Sequence, residues 1–435
     1  VGELVESKAA LSTSQKQIPF LRNPAAWLRE KKLSRAFWVF FTAAFFFDFG
    51  FSVYFFLFNL YLLDIHFNER AIGLVGGALT LGSAAATLPA GLLARRIGVR
   101  TPLIVCFIAA PVLGALRALV MGEVLQIGLG FAAGLTMCLW GVCYLPALAR
   151  LTTEDNRTFA FSLIFSASIG TSTLGGVVCG YLPQWLSSAG LAMQPVEVKR
   201  LILLVSSGIA AMGLFAVLRM RLPLPQVETP AQRPEKNGPW IRHWRVDPFL
   251  LRFLPSMALW TAVLASFTPF ANVYLSRELH VPLSHIGLVF SAAQIVQFCV
   301  GLLTPMLFRA LGLINGIVAT QILTAVAIGC LAETHNMSLA VALYMGFSAM
   351  QWMSSPGLYN LLMSRVPDEE RSTASSMTMF CNAVLQSAAT AAAGFLFVRF
   401  GYPSVMLGIA ALAAVAAGVF RSVVGPVGKP LTAQP

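Results

Sequence analysis

Charge is scarce in this chain. Asp, Glu, Lys and Arg make up 11% of its 435 residues, where a soluble globular domain carries about 25%. That shortage excludes an ordinary water-soluble protein. Metal chemistry is also poorly provided for. The five histidines are dispersed, with His66, His280, His285 and His335 in one set of connections and His243 in the other. Seven cysteines (Cys106, Cys138, Cys143, Cys179, Cys299, Cys330 and Cys381) all lie inside apolar runs. Only Cys138 and Cys143 are close in sequence, and neither has a His or Cys companion at ligand spacing. Inert buried thiols are expected, with no zinc site and no disulfide framework. No Gly-rich loop ends in a Lys, so direct ATP coupling is not expected. The chain is read as a non-enzyme without a cofactor. Its first 35 residues are polar and basic with no apolar core, and no cleavable signal peptide is expected there.

What is abundant is hydrophobicity. Apolar residues make up 57% of the chain, and mean hydropathy is +0.75. Apolar runs of spanning length fall at 36–63, 71–94, 101–120, 124–148, 158–183, 201–220, 249–276, 284–308, 312–331, 337–362, 372–397 and 402–421. They are too long and too uniform for barrel strands, which are nearer ten residues and alternate. The expected fold is therefore an all-α polytopic membrane protein of twelve transmembrane helices in two six-helix bundles. The divisions are an N-terminal segment 1–35, a bundle 36–220, a polar connection 221–248, a bundle 249–421 and a tail 422–435. The formal charge is +12, but its placement between apolar runs points to topology and not to nucleic acid. With twelve spans, 24 of the 30 Lys and Arg residues fall on the side holding both termini and the central connection. That bias assigns this side to the cytoplasm of a multi-pass cell-membrane protein, the inner membrane if the source is bacterial. Around Trp27, Asn23–Phe37 mixes basic and apolar residues, as a short helix at the cytoplasmic lipid surface would.

The chain also matches itself. Asn59-Leu-Tyr61-Leu62 recurs as Asn272-Val-Tyr274-Leu275 at an offset of 213 residues. Ile72-Gly73-Leu74-Val75 recurs as Ile286-Gly287-Leu288-Val289 at 214, where Leu93, Arg95 and Gly98 also meet Leu307, Arg309 and Gly312. Arg157-Thr158-Phe-Ala160-Phe-Ser162 meets Arg371-Ser372-Thr-Ala374-Ser-Ser376 at the same spacing. The period equals six spans, so both copies share one membrane orientation. Two such copies imply a pseudo-two-fold axis along the membrane normal, with a site between the halves.

With this pattern the chain resembles the major facilitator superfamily over roughly residues 36–421. The family's loop after span 2 reads Gly, three residues, Asp, a basic residue, any residue and Gly, followed by two positions that are usually basic. Here Gly91-Leu-Leu-Ala-Arg95-Arg96-Ile-Gly98-Val-Arg100 keeps the glycines and basic residues but has Arg95 at the acidic position. The resemblance implies a gating role for this loop on the cytoplasmic face. Topology and headgroup contact are the plainer reading of Arg95, Arg96 and Arg100. Glu154-Asp155-Asn-Arg157 and Asp368-Glu369-Glu370-Arg371 fit the family's other cytoplasmic loops. Gln126 stands where drug–proton antiporters of the family carry an Arg in span 4. In span 5 the stretch Thr171-Ser172 to Gly175-Gly176 lacks their proline, so drug antiport has little support from motifs. Gly176 and Gly180 are spaced for helix packing.

Inside the apolar runs a few polar groups stand out. Asp48 sits near the middle of span 1, in Phe45-Phe46-Phe47-Asp48-Phe49-Gly50-Phe51. A carboxylate there must face a cavity, pair, or hold a proton, which fits either proton coupling or a packing hydrogen bond. Arg117, near the end of span 3, fits a gate, substrate entry or snorkelling to the interface. Asn59, Tyr61, Asn272 and Tyr274 lie toward the outer ends of spans 1 and 7, as gating residues would. Gln126, Trp140, Tyr144, Gln294, Gln297, Trp352, Tyr359, Asn382 and Gln386 suggest a cavity with neutral hydrogen-bonding groups and aromatic walls. Interhelical hydrogen bonding is the alternative for each of them. The many Phe of span 1 are expected to be packing and lipid-facing, with an aromatic substrate box as the other reading.

These residues lead to an expected function. It is a secondary active transporter, working as a monomer by alternating access, for a small neutral, amphipathic or singly charged organic solute. Asp48 is the candidate for coupling to protons, and lipids and a small-molecule substrate are the expected partners. Uniport or amphiphile efflux are the alternatives within the fold. A non-transporting membrane receptor or lipid-handling protein is the alternative outside it.

Overall fold

A computed structural model describes residues 33–220, 248–366 and 371–425, apart from 189 and 191–193. The segment around Trp27, the 221–247 connection, Asp368-Glu369-Glu370 and the tail from 426 lie outside the described residues. The order of elements is α1 (Arg35–Asp64), α2 (Glu69–Ile97), α3 (Arg100–Leu119), α4 (Glu123–Arg150), α5 (Glu154–Ser188) and α6 (Pro195–Arg219). The second half follows with α7 (Pro248–Phe267), a 3-10 turn (Thr268–Phe270), α8 (Ala271–Arg277), α9 (Leu283–Leu311), α10 (Leu313–Glu333), α11 (Met337–Arg365) and α12 (Arg371–Val419).

Ten described runs are long and apolar enough to cross a membrane. One of them, Met377–Val424, turns at Gly401, where φ is 74° and the helix breaks into two legs. α11 is as long as α9, at 29 residues, but serines and Gln351 and Asn360 make it more polar. Each of the twelve stretches expected from sequence lies on a helical leg, apart from a few end residues. The seventh is split, because Pro269 lacks an N–H and frees the carbonyl of Ala265 four residues earlier. The Thr390 hydroxyl donates to that carbonyl at 3.1 Å.

Local chemistry sets the helix ends. Ser34 and Asn68 cap α1 and α2 by accepting from the N–H of Phe37 and Ala71. Pro195 opens α6 behind a capping box between Gln194 and Glu197. Gly98 and Gly312 close α2 and α9 at φ 80° and 79°, a left-handed backbone that a Cβ would strain. His66 and His280 adopt φ 68° and 50° in the turns after α1 and α8. Both pairs are 214 residues apart, so the repeat in sequence is also a repeat in backbone.

The first half packs α1 against α6 and α2 against α4. Gly82 faces the backbone of Phe131 and Gly134 that of Leu79, so α2 and α4 approach closer than any side chain would allow. Between the halves, α2 lies on the first leg of α12 and α5 lies on α9.

Candidate functional site

The two inter-half helix pairs are zipped at one end, the end at which α1 terminates. On α2 and α12, a Cβ built on Gly73 would lie 2.8 Å from the Thr390 oxygen and 3.1 Å from the Gly394 Cα. On α9 and α5, a Cβ on Gly287 would meet the Gly176 carbonyl and lie 3.0 Å from the Gly180 Cα. Gly73 and Gly287 are 214 residues apart, and so are Gly180 and Gly394, so these are one contact made twice. A turn further along, Ser387 donates to the Gly77 carbonyl at 2.6 Å and Ser291 to the Thr173 carbonyl at 2.7 Å. Those four positions obey the same offset.

The asparagines of the repeat complete the closure. Asn59 Nδ2 donates to the Pro269 carbonyl at 2.8 Å, and Asn272 Nδ2 donates to the Phe56 carbonyl at 2.9 Å. Each reaches the residue three before its own counterpart, so the two bonds are related by the pseudo-two-fold. An ion pair joins the halves at the same end: Arg277 Nη1 lies 2.8 Å from Glu69 Oε1. Glu69 is 5% exposed, and the Tyr402 hydroxyl donates to it at 3.5 Å.

Toward the other end α5 and α9 leave a gap between the halves. Beyond Thr173 and Ser291, α5 and α9 enclose a crevice of about 640 Å³, lined by Arg157, Phe161 and Phe165 on one side and Phe298 and Leu302 on the other. Under the zipped end lies a second cavity, about 410 Å³, lined from both halves by Phe55, Phe56, Asn59, Arg117, Phe290, Gln294 and Gln386 among others. Asp48 does not line it. It lies instead beside a small crevice between α1 and α5, whose lining includes Ser168 and Thr171. Ser52, one helical turn along α1 from Asp48, does line the cavity. Trp140 and Tyr144 belong to an aromatic cluster with Phe40, Phe47 and Phe107.

The structure separates the remaining expected residues. Gln294 and Gln386 face the cavity with no hydrogen bond from either side chain among the described residues. Gln297 donates to the Ser348 hydroxyl, and Asn382 accepts from Thr261 at 3.1 Å, so both are tied within the second half. Trp352 and Tyr359, 54% and 42% exposed, do not line the 410 Å³ cavity. Gly91 is half-buried and Arg96, Arg157 and Arg309 are exposed, while Arg100 donates to the Leu218 carbonyl at 2.8 Å. Arg95 and Arg371 lie at the open end of α2 and at the start of α12.

Three expectations are corrected. Gln126 does not line the cavity: it is fully buried, and its Nε2 clamps the carbonyls of Arg117 and Val120 at 2.5 and 2.6 Å, tying α3 to α4. Tyr61 and Tyr274 do not bridge the gate. Their hydroxyls donate to the Ala118 and Leu331 carbonyls at 2.7 and 3.1 Å, each within its own half. Arg117 does not snorkel, being 2% exposed. Replacing Gln126 with Leu leaves two buried carbonyls unpaired. A loss of about 1–3 kcal/mol is expected, read as a lower melting temperature in detergent with unchanged solute affinity.

Sequence reasoning missed Glu69, Ser291, Ser387 and Gly394. Gly394 carried a signal, since it pairs with Gly180 at the repeat offset. Glu69 carried none, because an acid following Asn68 reads as a helix-start residue, which it also is.

A family model, the Major Facilitator Superfamily, matches residues 40–390. No curated protein matches the chain. Among solved structures, a variant of the nucleoside transporter NupG superposes with a TM-score of 0.72 at 14% identity, covering 89% of this chain and 100% of the other. A D-xylose-proton symporter gives 0.71 at 15%, covering 91% and 99%. A bacterial homologue of the human lysosomal transporter Spinster gives 0.71 at 15%, covering 89% and 97%. At such identities the likeness is one of fold.

Proposed function

The chain belongs to the major facilitator superfamily, and from that premise we propose that it is a secondary transporter acting as a monomer by alternating access. The observation that carries this reading is the asymmetry of the molecule: its halves are zipped at one end by contacts repeated across a pseudo-two-fold, and separated by a crevice between α5 and α9 toward the other. The zipped contacts are small residues, hydroxyls and one ion pair, which can part and re-form without unfolding either half. The bias of basic residues supports assigning the open end to the cytoplasm. The solute is a small neutral, amphipathic or singly charged organic molecule, held in the 410 Å³ cavity between aromatic walls and neutral amides.

Asp48 is the proposed proton carrier. It lies deep in α1, a turn from the cavity wall, in a crevice also lined by Ser168, whose hydroxyl can donate to a carboxylate or accept from a protonated carboxyl. The test takes a solute that raises the melting temperature in a detergent screen and follows it in proteoliposomes. A gradient of one pH unit coupled to one proton supports about tenfold accumulation. Asp48→Asn is expected to return accumulation to equilibration while counterflow exchange of the solute persists. Undiminished gradient-driven accumulation in the variant removes the coupling role. Saturable flux in the wild type separates a carrier from a receptor of the same fold.

A further inference from the structure

Among the described residues, Arg117 is a buried cation without an anion. It sits in the last turn of α3 and is 2% exposed. Its guanidinium carbon lies 4.1 Å from the centre of the Phe58 ring. Among the described residues neither its Nε nor the rest of its guanidinium has a hydrogen-bond partner. The ion pairs of the described residues engage other cations, Lys199 with Asp64 at 2.6 Å and Arg277 with Glu69. Among the described residues lining the cavity none is acidic, and Arg117 is the one basic residue.

A guanidinium does not shed its proton in proteins, and burying it unpaired is costly. Two features of the fold make the cost bearable. The helix C-terminus places partial negative charge beside it, and the face of Phe58 offers a cation–π contact. Neither uses the fork of N–H donors, whose geometry matches a carboxylate with two parallel bonds. The cavity that Arg117 lines also offers the rings of Phe55, Phe56 and Phe290 and the uncommitted amides of Gln294 and Gln386.

We infer that the cavity binds a small organic monocarboxylate, its carboxylate held by Arg117 and its apolar body against the Phe walls. The inference rests on the carrier reading and narrows it. It excludes cations, which would meet an uncompensated like charge. It also disfavours polyanions such as sugar phosphates, for which a single guanidinium leaves charge unmatched.

The experiment measures thermal stabilisation of the full-length protein in detergent by phenylacetate, 4-phenylbutyrate and hexanoate, each beside its own carboxamide. The amide preserves shape and removes the charge. At least one acid is expected to bind the wild type about 10- to 100-fold more tightly than its amide, the range for a lost charge-assisted hydrogen bond. Arg117→Gln is expected to abolish that preference, and Arg117→Lys to keep part of it, since the charge remains and the fork is lost. Equal binding of acid and amide, undiminished acid binding by Arg117→Gln, or no acid bound by the wild type each overturns the inference. If Arg117→Gln does not fold, the acid–amide comparison on the wild type and on Arg117→Lys still decides. Saturable flux of a neutral solute, unchanged in Arg117→Gln, overturns the monocarboxylate while leaving the carrier intact. Absence of saturable flux for an acid that does bind through Arg117 sinks the carrier and leaves the site.

Discussion

Gly287→Val is expected to abolish transport while leaving each half folded. The first atom of the new side chain falls on the carbonyl of Gly176, with the Cα of Gly180 behind it, and backbone cannot swing aside as a flexible side chain would. Overpacking at such a contact costs about 1–3 kcal/mol, and a β-branched residue sits at the top of that range. Because α5 and α9 belong to different halves, the strain is relieved by parting them and not by disrupting a core. The penalty therefore falls on the state zipped at this end, and the population moves toward the opposite state by about 100-fold. The measurement is labelling of a cysteine placed at Ser291, using a membrane-impermeant maleimide from the zipped side, in a background with Cys299 and Cys330 replaced. Labelling should be slow in the parent and fast with Gly287→Val, and solute flux should fall to background. Slow labelling in both removes the contact from the gate. Gly73→Val, at the two-fold related position, should behave alike.

The parts of this molecule legible in its sequence are those governed by local chemistry or by the repeat. Spanning length and apolarity located the legs, and Gly98 and Gly312 marked turns that need a left-handed backbone. The offset of 213–214 residues was enough to pair Asn59 with Asn272, and the structure gives both residues the same bond across the axis. What was not legible was direction. Tyr61 and Tyr274 repeat as faithfully as the asparagines two residues before them, yet a shift of two residues turns a side chain about 200° around a helix. So the asparagines face the other half and the tyrosines their own. Gln126 and Arg117 show the same limit. Both are polar groups in apolar runs, but one is consumed by two carbonyls and the other is left facing the cavity. Only the fold could tell them apart.

Reversing the charge of Arg277 should open the zipped end nearly as effectively. Glu69 is almost fully covered, and its carboxylate is met by the Arg277 guanidinium at 2.8 Å and by the Tyr402 hydroxyl. Removing one member of a buried pair costs about 3–5 kcal/mol because the other charge stays behind unpaired. Arg277 is half in solvent, its side chain 45% exposed, so screening reduces that figure. Placing a carboxylate there restores part of it through repulsion, and about 2–3 kcal/mol is expected for Arg277→Glu, roughly 30- to 150-fold in the balance between the two states. The pair bridges α2 of the first half and α8 of the second, so separating the halves relieves the repulsion. Fast labelling at position 291 with Arg277→Glu, and its return to slow with Glu69→Arg added, is the expected pattern. The rescue is the decisive arm. A merely structural role for Arg277 would leave the double variant as damaged as the single one, whereas an electrostatic latch depends on opposite signs and not on which half carries which. Raising salt should narrow the difference between the parent and Arg277→Glu, because the exposed side of the pair is open to counterions.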